Sequence, residues 1–241
     1  MARDLGIDVR GNRVGDALGR VPGVGRWLGG VVVALVSLVA GIVASFAGLA
    51  TRNVPAALAG AVIIVLGKLI ALFQALAGLQ RQRGLTDAEA ELLTRVYRGS
   101  VDLTAVRLVP GRAGVFSASD RPFTLGATIY LKQDMVSDPV LVHECAHVWQ
   151  YQHLGPRYAA DAVWAQLTLK KKAYHWTREL DRGRTRWRQF NREAQAQFLQ
   201  DIAAQAPGFF AEDPVSDGAR FGDHTELARE TITLIRAGRL S

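Results

Sequence analysis

Cysteine is nearly missing from this sequence, which has one among its 241 residues. A single cysteine cannot form an internal disulfide bond, so the chain does not depend on a disulfide framework or on an oxidising compartment. The one cysteine, Cys145, lies between two histidines in a segment that we predict to be helical. We interpret it as a small buried side chain and not as a nucleophile.

Charged residues are almost absent between residues 28 and 79, where two side chains are ionised. Residues 28–50 form an uncharged run of 23 residues. As a helix, this run is long enough to cross a hydrocarbon core about 30 Å thick at about 1.5 Å per residue. A second apolar run covers residues 56–79, and Pro55 suits the first turn of a helix there. The pattern predicts a two-helix transmembrane hairpin within residues 28–80.

Lys68, near the middle of the second run, favours an alternative. A lysine at the centre of a membrane span costs about 2.5 to 3.5 kcal/mol, so the two helices could instead form a buried hairpin in a soluble protein. Against this alternative, the first run is uncharged on every face, whereas a surface helix of a soluble protein is amphipathic. We therefore predict membrane helices and a lipid bilayer as partner.

Basic residues are unevenly distributed around this hairpin. Five arginines precede it within residues 1–27, Arg52 lies alone in the predicted turn, and Arg81 and Arg83 follow the second run. Since cytoplasmic flanks of membrane helices carry an excess of Lys and Arg, we predict that both termini and the following domain face the cytoplasm. Residues 1–27 are rich in glycine and lack apolar periodicity, which predicts a flexible basic arm.

Nucleic-acid-binding motifs are absent from the sequence, although the formal net charge is +7 and the pI is near 10. The arginines are scattered along the chain, so we predict no nucleic-acid partner. A basic surface beside anionic lipid is the simpler interpretation of the charge.

Residues 143–147 read His-Glu-Cys-Ala-His and follow an apolar run. In a helix, His143 and His147 project from one face because four residues advance slightly more than one turn. Two imidazoles in this arrangement suit a zinc ion, and Glu144 lies where it could take a proton from a metal-bound water. The pattern predicts a zinc site with its own general base.

Two histidines are too few for a catalytic zinc ion, which usually has three protein ligands and one open position. His153 has the HExxHxxxxxH spacing of metzincins. However, Gln150 replaces the glycine at which that motif turns, and no methionine follows Met135 to form a Met-turn. We therefore expect His153 to continue on the helix or just past it and to point elsewhere.

Glu193 is the better candidate for the third ligand. On a helix, Glu193, Gln197 and Asp201 share one face, while apolar residues cover the neighbouring face. A solvated polar face would show the same periodicity, and this alternative stays open. Glu179 is a weaker candidate because Arg178 precedes it and a glycine soon ends its segment.

Residues 84–205 combine helical and strand-like patterns, which predicts an α+β domain that is mainly helical with a small β-sheet. Thr86 and Glu89 have the spacing of a capping box at the start of a helix. Strand-like runs cover residues 101–109 and 123–131. We assign the second run to an edge strand that binds extended substrate above the metal helix, with an ordinary core strand as the alternative.

Later segments of the chain have mostly helical patterns. We predict helices over residues 158–169 and 184–205. Residues 206–241 are predicted to form a tail that contains a short helix around residues 226–236.

Three stretches together carry a resemblance to a known group of proteins: LVHECAHVWQYQ at residues 141–152, GPRY at residues 155–158 and FNREAQAQ at residues 190–197. They resemble poorly characterised bacterial HExxH proteins related to the gluzincin-like peptidase domains found near secretion systems and phage-tail-like machines. The resemblance covers roughly residues 84–205. It implies a zincin-like fold, Glu193 as the third zinc ligand and an association with a secretion system.

Together these features predict a membrane-anchored zinc metallopeptidase that hydrolyses peptide bonds in a peptide or protein substrate. Zinc would be held by His143, His147 and Glu193, with Glu144 as general base. Three later residues are candidates for the donor that stabilises the oxyanion: Tyr158, Tyr174 and His175.

Two other functions are compatible with the sequence. In one, zinc only ties helices together in a catalytically silent membrane protein, which a fourth protein ligand or a missing cleft would indicate. In the other, the chain is a secreted toxin-like effector whose apolar hairpin inserts into a target membrane.

Overall fold

A computed structural model of the chain describes residues 7–21, 24–48, 54–111, 113–118, 121–134, 136–211 and 219–239. The first six residues of the predicted arm, the predicted turn at residues 51–53 and Met135 lie outside these ranges. The described part is mostly helical with one small sheet, which confirms the predicted α+β class at this level. Its α-helices are α1 (Ile7–Gly19), α2 (Val24–Gly48), α3 (Val54–Leu76), α4 (Asp87–Tyr97), α5 (Asp138–Leu154), α6 (Arg157–Leu169), α7 (Trp176–Asp181), α8 (Arg192–Gln205) and α9 (Thr225–Arg236).

Helix α1 corrects the prediction of a flexible arm, which is wrong for residues 7–19. The side chain of Asn12 is buried and donates to the Thr104 carbonyl at 3.3 Å. Asp16 forms a two-pronged ion pair with Arg107, with N to O distances of 2.5 and 3.1 Å. These partners come from the domain about 90 residues later, so local periodicity could not indicate them.

Helices α2 and α3 are each long and apolar enough to cross a membrane, over Val24–Phe46 and Val54–Leu76. Helix α2 begins at Val24, four residues before the predicted start at Leu28. The second helix begins with Val54 and carries Pro55 in its first turn, as predicted.

Helix α3 also packs against the domain that follows it. A Cβ atom added at Gly60 would lie 2.0 Å from the Pro156 carbonyl oxygen, and one at Gly67 would lie 2.7 Å from the Leu125 side chain. Ile64, between these glycines, packs with Tyr158 of α6. One face of α3 is therefore made flat by glycine so that the backbone of the domain can approach it.

Lys68 is buried within this contact and its charge is satisfied by two hydroxyl groups. Its ammonium donates to Ser37 of α2 and, at 3.0 Å, to Thr128 of the sheet. The mid-span lysine thus joins both apolar helices to the domain, which offsets part of the cost of burying it.

The sheet has three strands, β1 (Arg107–Val109), β2 (Phe123–Leu125) and β3 (Thr128–Tyr130), in the order β1-β3-β2. Strand β1 is parallel to β3, and β2 is antiparallel to β3 with Thr124 opposite Ile129. The predicted single strand over residues 123–131 is therefore wrong, because Gly126 turns the chain at a φ of 67° and makes a hairpin. In this β-hairpin, β2 lies at the edge of the sheet and β3 lies at its centre. The predicted strand over residues 101–109 is reduced to β1.

Helix α4 begins with the predicted capping box. The Thr86 hydroxyl accepts from the Glu89 amide at 3.3 Å, and the Glu89 carboxylate accepts from the Thr86 amide at 2.8 Å. Arg83 fixes the same carboxylate with an ion pair at 2.6 Å. The start of the domain near residue 84 follows from this local pattern.

Helix α8 begins at Arg192, so the predicted helix over residues 184–205 is wrong in its first part. Asn191 is the reason, because its side chain accepts hydrogen bonds from the amides of Glu193 and Ala194. Before it, the chain forms a 3₁₀ turn at Trp187–Gln189.

The main core surrounds α5, which contributes Trp149, and includes buried side chains from α8 and α9, such as Phe198 and Ile232. The predicted short helix around residues 226–236 is present as α9, and it packs in the same core as α5 and α8. An amphipathic helix is stable when its apolar face is covered, and the core of the domain covers this one.

Candidate metal centre

The two motif histidines lie one turn apart on α5, as the spacing predicts. Residues 141–151 of this helix are all buried. The rings of His143 and His147 are 5.1 Å apart between centroids. Pro139 lies in the first turn of the helix and Gly155 ends it. His143 and His147 therefore lie well inside a rigid helix.

Glu193, in the first turn of α8, meets both histidines. Its Oε2 atom lies 3.7 Å from His143 Nε2 and 3.5 Å from His147 Nε2. The three ligand atoms lie within 4.8 Å of one another, and all three side chains are buried. Ligand atoms of a tetrahedral zinc ion, with bonds of about 2.0 to 2.2 Å, lie about 3.3 to 3.6 Å apart. These residues therefore fit a single metal ion.

His153 lies away from this group, as expected from Gln150 and the missing turn. Helix α5 continues to Leu154, and the His153 ring stacks on Trp149 with centroids 4.4 Å apart. It takes part in packing and not in the cluster of ligand atoms.

Glu179 is buried but has other partners. Its carboxylate pairs with Arg184, lies 3.6 Å from Arg182 and accepts from the Asn191 side chain at 3.2 Å. Because Asn191 caps α8, Glu179 supports the helix that carries Glu193 and is not itself near the histidines.

Gln150 orients His147. Its side-chain oxygen lies 2.8 Å from His147 Nδ1, and since an amide oxygen only accepts, Nδ1 carries the hydrogen and Nε2 faces Glu193. Gln150 is held in turn by donating to the Arg192 carbonyl and the Gln195 side chain on α8. The sequence pattern did not predict this orienting role, because there Gln150 marks only the absence of the glycine at which the metzincin motif turns.

Gln166, on α6, supports Glu193 in the same way. Its side-chain nitrogen donates to Glu193 Oε1 at 2.8 Å and leaves Oε2 for the metal side. Nothing in the sequence pattern indicated this residue, because the contact joins two helices that are distant in the chain.

Burial and charge act in opposite directions on the ligands. Burial alone lowers the pKa of His147, but the charge and hydrogen bond of Glu193 raise it to about 9. Burial alone raises the pKa of Glu193, but His147 and His143 together lower it below its ordinary value. The Glu193 carboxylate therefore favours the protonated form of His147.

Glu144 is also buried and contacts the edge strand. The Thr124 hydroxyl lies 2.8 Å from Glu144 Oε2 and 3.0 Å from the Glu144 carbonyl oxygen, both of which accept. Strand β2 therefore fixes the orientation of the candidate base.

A cavity of about 800 Å³ adjoins the three ligands and Glu144. Its lining includes β2, α6, α8 and the 3₁₀ segment Lys170–Tyr174. A pocket of this size suits a small molecule or a short peptide.

The three candidates for an oxyanion donor differ in their surroundings. The Tyr158 hydroxyl accepts from the Gly126 amide at 2.8 Å and donates to the Thr124 carbonyl at 3.2 Å, so its donor is already used. Tyr174 lines the cavity, and its ring stacks over His143 with centroids 6.0 Å apart. Burial, with the charge of Glu193, raises the pKa of Tyr174 to about 12, which keeps its hydroxyl protonated. His175 lines the cavity but is exposed.

Comparisons with protein-family models, curated proteins and solved structures found no match to this chain. The resemblance to gluzincin-like proteins therefore stays a prediction. A buried His-His-Glu group that can hold a metal ion is what the described residues establish.

Proposed function

We propose that this protein is a membrane-anchored zinc-dependent metallopeptidase with a zincin-like, gluzincin-like domain. The observation that carries the proposal is the convergence of His143, His147 and Glu193 beside Glu144 at the wall of a cavity. Two imidazoles, one carboxylate and room for a further ligand are the donor set of a catalytic zinc site.

The residues have distinct roles in this proposal. His143, His147 and Glu193 would hold the ion, and zinc bound there supplies a Lewis acid that lowers the pKa of a water and polarises the scissile carbonyl. Glu144, oriented by Thr124, accepts the proton of the attacking water and passes it to the leaving amine. Gln150 and Gln166 keep two of the ligands in place.

The cavity offers groups that could bind and polarise a peptide. Thr124 lies on the edge strand opposite Ile129, and its carbonyl accepts a hydrogen bond from Tyr158. Strand β2 is at the edge of the sheet and lines the cavity, so an extended peptide could pair with it beside Tyr158. Among the three oxyanion candidates, Tyr174 is best suited to donate, because it lines the cavity and its raised pKa keeps the hydroxyl protonated, whereas the Tyr158 hydroxyl already donates to Thr124.

The membrane location is part of the same proposal. Helices α2 and α3 would lie in the bilayer as a hairpin, and because residues 60–68 of α3 pack against the metal domain, that domain would be partly embedded from the cytoplasmic side. A reporter fused after residue 241 in cells tests this topology, and a periplasmic signal would contradict it.

A silent structural zinc site is the rival proposal. In the described residues the ligand group has three members, and a cavity adjoins it. A structural zinc site is usually closed by four protein ligands, so these observations favour the hydrolytic function.

Metal analysis of the full chain purified in detergent tests the proposal. We expect about one zinc ion per chain in the wild type and in Glu144→Gln, and a large loss of zinc in His143→Ala and Glu193→Ala. Glu91, which is exposed on α4, provides the control Glu91→Ala. Full zinc content in Glu193→Ala would remove that ligand, and peptidase activity that survives Glu144→Gln would overturn the mechanism.

A further inference from the structure

Helix α3 has two roles that meet at the cavity. It is one of the two helices that could span a membrane, and its residues Ile63 and Gly67 line the cavity beside the metal ligands. Ile63 and Gly67 lie near the middle of α3, so if α3 lies in the bilayer, the cavity wall that they form lies at membrane depth as well. The glycine contacts of α3 with Pro156 and Leu125 hold the two parts together, so this relation does not depend on a flexible linker.

The outer face of α3 is an exposed apolar stripe. Val62, Leu66, Ile70 and Phe73 recur at helical spacing, and the side chain of Phe73 is 68 % exposed. Such a continuous apolar surface is unusual on a soluble protein and is typical of contact with lipid or with another apolar surface. The stripe and the cavity wall are thus neighbouring faces of one helix.

Helix α6, on the domain side, also carries exposed apolar residues. Trp164 and Leu167 are 69 % and 70 % exposed, although they belong to the domain and not to the hairpin. Val163, beside them, lines the cavity. Tryptophan is enriched where proteins meet the membrane interface, because its ring is apolar and its N–H is polar.

Three exposed lysines, Lys170, Lys171 and Lys172, follow α6 directly. An exposed apolar helix face followed by clustered lysines is the pattern of an element that lies in the interface of an anionic membrane. Lys171 also lines the cavity. The charge therefore indicates lipid headgroups as the neighbour of this side of the domain.

We propose that the cavity takes its peptide from the membrane, as an apolar segment that lies in the bilayer or emerges from it. The inference rests on the proposed function for the cleavage step, but the binding of such a segment is argued only from the residues that line the cavity. The segment would pass Ile63 and Val163 before it reaches the edge strand and Glu144.

Photocrosslinking of the full chain in lipid nanodiscs tests the binding step without added metal. A photoreactive phenylalanine derivative replaces Ile63 in the cavity wall or, as control, Leu58, which is exposed on α3 outside the cavity lining. The probe is a peptide with a leucine-alanine membrane span followed by a short extended segment. The matched probe carries the same extended segment on a lipid headgroup through a flexible linker, which gives equal local concentration without an apolar span.

We expect the first probe to crosslink at Ile63 in a way that excess unlabelled peptide abolishes. Crosslinks at Leu58 should persist, since they report random encounters in the bilayer. The proposal would be overturned if both probes crosslink equally at position 63 and excess unlabelled peptide abolishes both crosslinks. Crosslinking at position 63 to lipid alone would also overturn it.

Cleavage of the two probes by the zinc-loaded protein separates this proposal from the peptidase function. We expect the span-borne segment to be cut at least about ten-fold faster than the headgroup-linked one, and Glu144→Gln to abolish both reactions. If both probes are cleaved at the same rate and Glu144→Gln abolishes both reactions, the proposed membrane-borne substrate is wrong and the peptidase function is supported. Competed crosslinking at Ile63 without any cleavage would support the membrane-borne ligand and overturn the peptidase.

Discussion

The hairpin and the metal helix are both helical and both largely apolar, yet they differ in how their polar residues find partners. In α3, the charged Lys68 is satisfied by two hydroxyls from α2 and β3. In α5, the polar residues face α8 and β2, which lie 20 or more residues away in the chain. Both sets of partners come from other elements, but the single lysine meets neutral hydroxyl groups, whereas the two histidines of α5 meet a carboxylate, that of Glu193.

The metal helix and the apolar helices α2 and α3 differ most in chemistry, because only the metal helix carries a proposed general base, Glu144. We expect Glu144→Gln to lower kcat about 10²- to 10⁴-fold, because glutamine cannot accept the proton, while zinc stays bound. Turnover of a fluorogenic peptide together with zinc content measures this. Lys68→Met is the comparison variant in the hairpin, and an equal loss of turnover in it would mean that both effects are structural.

Gln150→Ala removes the partner of His147 Nδ1 and not a ligand. We expect zinc affinity to fall about 10- to 100-fold, because the orienting hydrogen bond is lost. Competition with a chelator measures the affinity, and Gln133→Ala, at an exposed position, is the control. Unchanged affinity in Gln150→Ala would show that α8 alone orients the site.

Gly60→Ala tests whether the hairpin and the domain are one packed unit. The new Cβ would overlap the Pro156 carbonyl, so we expect a loss of about 1 to 3 kcal/mol in the free energy of unfolding. Gly30→Ala on α2 meets nothing within 4 Å and should be neutral or slightly stabilising. Thermal unfolding in detergent compares the two variants, and equal behaviour would separate α3 from the domain.

The pH dependence of metal binding follows from the pKa of His147, which Glu193 raises to about 9 in the metal-free site. Zinc binds the neutral imidazole, so below pH 9 it must displace a proton. We expect about one proton to be released at pH 7.5, and affinity to rise up to about ten-fold per pH unit until it levels off near pH 9. Titration calorimetry in buffers of different ionisation enthalpy measures the release. Affinity that is flat from pH 6 to 9 would contradict the coupling to Glu193.

The hairpin was readable from the sequence because 23 uncharged residues have few alternatives to an apolar environment. The helix of the HExxH motif could be predicted because the four-residue spacing of its histidines and the apolar run before residue 143 both indicate a buried helix. The periodicity around Glu193 also fits a solvated helical face, so its role as a ligand follows from the resemblance and not from the pattern alone. The prediction of a flexible arm was wrong, and the packing of the C-terminal helix was not predicted, because Asn12 and Ile232 contact residues that are distant in the chain.

The sequence by itself determined which segments are apolar, where α4 begins and which five residues carry the metal motif, because these features depend on neighbours within a few positions. Tertiary structure alone decided that Gln150, Gln166 and Thr124 support the site, and that α3 is both an apolar helix and a wall of the cavity. The physical reason is that a hydrogen bond or a packed glycine contact needs two surfaces. When these surfaces lie far apart in the chain, no periodicity in either one records the other.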